Sequence, residues 1–196
     1  MIKRFTTLVA PLVAVLMFSA GAARSDSAAD LEPYAVKARA AVKAMGGALQ
    51  TKLKEALAAD GPIAAVQVCK TIAPEIANEQ SKAAGMTIRR TALKVRNPDN
   101  APDALERKVL EDFTARLAAG ADANTLEHIE EITGDGKTTV RYFKAIPTAA
   151  APCLVCHGSA VSGELKETID KLYPNDQATG FKEGDLRGAF SVTMEK

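Results

Sequence analysis

Five consecutive residues in the last third of the chain combine two thiols and an imidazole: Cys153, Leu154, Val155, Cys156 and His157, a C-x-x-C-H arrangement. Thiols three residues apart lie on one side of a single helical turn, matching two vinyl groups on one porphyrin edge, and both can become thioethers. The imidazole beside the second Cys then reaches under the ring to bind iron. The spacing predicts one covalent haem c, attached through Cys153 and Cys156 with His157 on the iron.

Three rivals use the same atoms. A thioredoxin-like redox pair needs its C-x-x-C early in a βα unit, whereas this one lies late, between Pro152 and Gly158. A Cys3His zinc site from Cys69, Cys153, Cys156 and His157 has suitable donors. It requires the adjacent Cys156 and His157 to bind one tetrahedral ion, which is an awkward geometry. A disulfide between Cys153 and Cys156 closes a small strained ring and says nothing about His157.

Haem iron has a second axial position. Cys69 shares one face of a predicted helix with Ala65, Ile72 and Ile76, and it is the thiol left over after haem attachment. Two readings stand for it: a thiolate on ferric iron, or a buried, inert small hydrophobe. His128, inside the run Leu126-Glu127-His128-Ile129-Glu130-Glu131, reads as a surface residue of an acidic strand. Met45, Met86 and Met194 fit apolar faces, where core packing is the common role.

The elements that must position these groups follow from periodicity. Leu31, Ala35, Ala38, Val42, Met45, Leu49, Leu53 and Ala56 recur at steps of three and four, a helical stripe from Asp30 to Ala59. Gly46-Gly47 is expected to bend or break it, each Gly being about 1 kcal/mol worse than Ala. Asp60-Gly61-Pro62 reads as stop, turn and restart, and Pro74 as a kink or a new turn. Met86 to Val95 reads as a strand carrying Arg90 and Arg96 on one face, followed by a loop over 96–102. Asp103 and Glu106 form a capping box for a helix with Leu105, Val109, Leu110, Phe113 and Leu117. Strands over 126–133 and 138–146 flank Gly134-Asp135-Gly136, a short helix covers Gly163 to Leu172, and Arg187 to Met194 closes as a strand. The order predicts an α+β fold, an antiparallel sheet with helices beside it and a long N-terminal helical segment.

Lys3 and Arg4 precede eleven apolar residues from Leu8 to Phe18 and a small-residue run ending in Ala22-Ala23. That is the pattern of a cleavable signal peptide over residues 1–23, shorter than the roughly 20 apolar residues of a spanning helix. It implies export to the periplasm, no transmembrane segment after cleavage, and one domain over residues 24–196. The chain has 196 residues, 47% apolar and 25% charged, which excludes disorder and low complexity. With 25 Lys plus Arg against 24 Asp plus Glu and no dense basic run, nucleic acid is not an expected partner. Three cysteines are too few for a disulfide scaffold, and the aromatic content is only 5% with no Trp, so the core lacks bulk.

The sequence resembles the single-haem c-type proteins with a PAS-like fold, a family first recognised structurally in a cyanobacterium and also found as the extracytoplasmic haem-sensor region of signalling proteins. The matching segments are Val68-Cys69, Ala73-Pro74-Glu75-Ile76-Ala77, Ile88-Arg89-Arg90-Thr91 and Arg96 to Asp103. They continue with Cys153 to Gly158 and Gly184 to Val192. The resemblance implies a haem between a PAS-like antiparallel sheet and helices, with His157 and Cys69 as axial ligands. Arg90 and Arg96 become candidates to pair with the haem propionates. Unlike the sensor members, this sequence has no effector domain after Met194.

The expected activity is electron transfer or redox sensing with a redox or signalling partner protein, since thiolate ligation favours ferric iron. Displacement of Cys69 by a diatomic gas is the second class. A peroxidase ranks last, because His128 alone offers an imidazole base, and the chain is therefore not expected to be an enzyme. The Ala-rich N-terminal stripe can pair two chains as a homodimer or pack on its own domain.

Overall fold

The computed structural model describes residues 28–196, and the expected signal segment, residues 1–23, lies outside them. In chain order the elements are α1 (Ala28–Ala84), β1 (Thr87–Thr91), a 3-10 turn (Pro98–Asn100), α2 (Ala104–Ala118), β2 (Glu127–Gly134), β3 (Lys137–Pro147), α3 (Cys153–His157), α4 (Gly163–Leu172) and β4 (Leu186–Glu195). The four strands form one antiparallel sheet in the order β1-β4-β3-β2. The α+β class, the PAS-like antiparallel sheet and the long N-terminal helical segment are those expected.

Alternation along the central strands separates two packing layers. Val140, Tyr142, Val192 and Met194 face α1, where Leu31, Ala35, Ala38, Val42 and Met45 of the helical stripe are buried against them. Phe143, Ala145 and Ala189, on the opposite face, pack against Val109, Leu110 and Phe113 of α2. Beyond Met45 the stripe leaves the sheet, so Leu49 and Leu53 face a cavity instead. A third cluster joins Val66 of α1 to Ile169 and Tyr173 near α4, with Cys156 at its edge. Among the described residues no helix is long and apolar enough to cross a membrane.

The helix breaks where turn chemistry demands it. Gly61, at φ 75° and ψ −165°, is the non-helical residue inside α1 and separates an arm over 28–60 from one over 62–84. Pro62 opens the second arm, as expected. Of the bend or break expected at Gly46-Gly47, no break occurs: both residues are helical. Burying Val42 and Met45 contributes about 1.5–3 kcal/mol each, which outweighs the roughly 1 kcal/mol per Gly, and Gly46 lets the Phe190 ring lie against the helix. Pro74 stays within the helix as well.

The expected hairpin is present, and its strands reach further into the turn than 133 and 138: Asp135 (φ 52°) and Gly136 (φ 73°) alone connect β2 and β3, both in the left-handed region such a two-residue turn requires. The Asp103–Glu106 capping box is present. Its Glu106 has a second duty, because the carboxylate is fully buried and accepts from Arg89 (2.7 Å) and Arg141 (3.4 Å), tying α2 to β1 and β3. The first strand ends at Thr91 rather than Val95. The chain turns away there through Ala92 N–H donating to the Asn100 carbonyl, so Arg96 does not share a strand face with Arg90.

Candidate functional site

Both arms of α1, the β1–β4 end of the sheet and α3 enclose a cavity of about 260 Å³. Leu49, Leu53, Leu57, Val66, Val68 and Phe190 give it apolar walls. Cys69, Cys153, Cys156 and His157 all open onto it. They come from distant parts of the chain, Cys69 from the second arm of α1 and the other three from the single turn of α3.

The loop before β4 holds that turn in place. Gly158 N–H donates to the Leu154 carbonyl, Phe181 N–H to the His157 carbonyl and Gly180 N–H to the Gly158 carbonyl, each at 3.0 Å. Gly158 is required, since a Cβ there would stand 2.6 Å from the Leu154 carbonyl oxygen. His157 Nδ1 lies 2.7 Å from the Ala178 carbonyl. A carbonyl only accepts, so Nδ1 carries the proton and the Nε2 lone pair is left for a metal, the arrangement seen in metal-binding histidines. Burial, then the neighbouring Arg187 and Arg96, push the His157 pKa down to about 3, so the ring is neutral at ordinary pH. Burial also raises the Cys156 thiol above its usual range, against the pull of Arg96.

Three guanidinium groups line the same cavity: Arg90, Arg96 and Arg187. Arg96 sits beyond the strand, where its Nη2 donates to the Cys156 carbonyl (2.7 Å), to Asp176 (2.9 Å) and to the Ala178 carbonyl (3.3 Å), while its Nε is buried without a partner. It braces α3 against the loop, a duty not foreseen for it. The Arg90 side chain has no hydrogen bond or ion pair among the described residues, and burial lowers its pKa while Cys69 opposes that shift. Arg187, at the mouth of β4, was read from sequence only as the start of a strand. It lies 5.4 Å from the Phe181 ring centroid, donates to the Lys94 carbonyl (3.4 Å), and has its pKa lowered to about 10 by burial, then by Arg96 and Arg90.

The remaining candidates lie elsewhere. His128 sits on β2, its Nε2 3.1 Å from Glu130, outside the cavity lining. Met45 and Met194 are buried between α1 and the sheet, with Met86 packed at their edge. All three cysteines are free thiols, so the Cys153–Cys156 disulfide is not formed. Among the described residues no three His, Cys, Asp or Glu side chains are grouped to hold a metal ion, so the Cys3His zinc site is not assembled. The donors stand around a cavity instead of converging on one point.

The donor set fits a c-type haem. Two thiols project from one helical turn, a neutral imidazole presents Nε2, apolar walls suit a macrocycle, and guanidinium groups suit its carboxylates. A family model described as Tll0287-like matches residues 15–195. The fold is similar to that of the crystal structure of the cyanobacterial heme-protein Tll0287, with a TM-score of 0.55 and 26% sequence identity over 87% of this chain and 98% of that one. No curated protein sequence matches.

Proposed function

The chain belongs to the Tll0287-like family, and on that premise we propose that it is an exported, c-type monohaem protein acting in electron transfer or redox sensing. The observation that carries this reading is the opening of Cys69, Cys153, Cys156 and His157 onto one apolar cavity. Cys153 and Cys156 would hold the group covalently and His157 Nε2 would bind its iron, the ring being oriented by the Ala178 carbonyl. Cys69, which opens onto the same cavity beside Arg90, would bind the iron as its second protein ligand. Bound haem supplies one-electron exchange between ferric and ferrous iron. The apolar walls exclude water, and a thiolate from Cys69 favours the ferric state. The expected partner is a redox or signalling protein in the periplasm.

Acid-acetone extraction of the purified protein tests covalent attachment: the Soret band stays with the polypeptide, and a colourless extracted protein removes the reading. The Cys69→Ala variant changes the low-spin EPR signal of the ferric protein, and an unchanged spectrum removes Cys69 as a ligand. Exposure of the reduced protein to CO separates redox work from gas sensing by Cys69 displacement, because a six-coordinate carrier leaves its spectrum unaltered.

A further inference from the structure

Three arginines, Arg90, Arg96 and Arg187, line one largely apolar cavity, with Arg96 and Arg90 near enough to disfavour the charge of Arg187, an arrangement that is unfavourable unless anions balance it. One anion is present. Asp176 matches Arg96 at 2.9 Å, with both side chains less than a tenth exposed. Neither Arg90 nor Arg187 has a carboxylate within ion-pair distance among the described residues, although Asp176 favours the Arg187 charge from further off, and both line the apolar cavity. The site therefore has two cations without an ion-pair partner, placed on neighbouring strands, β1 and β4. Their complement is a dianion, or two carboxylates carried by one apolar molecule.

We infer that Arg187 and Arg90 receive the two propionate carboxylates of the haem, with Arg187 in the place that the sequence alone assigned to Arg96. This rests on the proposed haem binding and extends it. A guanidinium presents paired N–H donors to each carboxylate. Arg96 adds its free Nε as a further donor without adding unbalanced charge. Because the charges are held away from water, removing one disfavours the ferrous state, in which the haem carries one more electron.

The test uses the matured holoprotein and its R187Q, R90Q and R187K variants. Haem content by pyridine haemochrome reads loading alone: a wild type without haem overturns the haem reading and the propionate assignment with it, whereas a loaded wild type lets the variants overturn the assignment by itself. With haem attached, R187Q and R90Q each lower the ferrous-to-ferric ratio at fixed ambient potential by about tenfold, 59 mV for one electron. In R187Q the potential also becomes more pH-dependent than in the wild type, because burial raises the pKa of a carboxylate that has lost its cation. R187K, which keeps the charge, retains the wild-type potential, and it serves as the test variant if R187Q does not accumulate: a tenfold shift in R187K overturns the charge-based assignment. A loaded R187Q with wild-type potential and pH profile overturns the inference. Inorganic phosphate at constant ionic strength distinguishes the anion's source: a phosphate-induced shift in the wild type that is lost in R187Q assigns the pair to a free anion and overturns propionate binding.

Discussion

Replacing Arg96 breaks the brace between α3 and the loop that orients His157. Arg96 and Asp176 side chains are 7% and 4% exposed, so solvent cannot replace either partner. In R96M the Asp176 carboxylate keeps one bond, Oδ1 accepting from Ala178 N–H at 2.8 Å, and the Cys156 carbonyl loses its 2.7 Å donor. Removing one member of a buried pair costs about 3–5 kcal/mol, because the other charge remains buried and unmatched. At roughly 2–4 °C per kcal/mol for a domain of this size, the melting temperature falls by roughly 6–20 °C. D176L costs a similar amount. The double variant R96M/D176L removes both charges, so it is more stable than the sum of the single losses by about 1–3 kcal/mol. Urea denaturation of the four proteins at pH 7 measures the cycle. Strictly additive losses would refute the pairing as the source of the stability. If His157 binds haem iron as proposed, ferric EPR on the same samples changes with the loss of Arg96, which shares the Ala178 carbonyl with the His157 ring.

Three further outcomes are expected. Glu106→Gln removes the buried anion that the half-buried Arg89 and Arg141 share, leaving Arg141 only Asp103 at 3.1 Å, and lowers stability by about 1.5–3 kcal/mol in urea denaturation; a loss under about 1 kcal/mol would contradict the burial argument. The Arg39 side chain, with burial opposing and the Tyr142 hydroxyl (2.8 Å) assisting, holds the Glu127 carboxyl below its ordinary value of 4.5. The depressed value means the contribution is present above pH 4.5 and fades as pH falls through the folded pKa. The gap of roughly 1–2 kcal/mol between wild type and E127Q at pH 7 should therefore close as the pH falls below 4.5 through the folded pKa, and a pH-independent gap refutes the linkage. Gly188→Ala places a Cβ 2.4 Å from the Thr91 carbonyl oxygen, forcing β1 and β4 apart at the cavity edge at a cost of about 1–3 kcal/mol; wild-type thermal stability in that variant would refute the close approach.

Local signals in the sequence were sufficient for much of this molecule. The C-x-x-C-H spacing, the Asp60-Gly61-Pro62 turn, the capping box and the helix over Gly163–Leu172 depend on residues within one or two turns of each other, and the structure has each of them. Resemblance across separate segments indicated the family and drew Cys69 toward the C-x-x-C-H turn. Local preference misled where a distant partner supplied more energy than the local penalty: Gly46-Gly47 stays helical because flanking Val42 and Met45 pack on the sheet and Phe190 fits over Gly46.

The arginines mark the other boundary. Arg90 and Arg96 looked equivalent in a one-dimensional strand, and Arg187 drew no notice as the first residue of another. Only the folding of β4 beside β1, and of the 174–181 loop across α3, gave Arg96 an acidic partner and left the other two without one. Residue types and short spacings determined what chemistry the chain can carry, since those are properties of a few neighbouring bonds. Which charges face the cavity unpaired depends on contacts between residues up to about a hundred positions apart, and tertiary packing alone decides those.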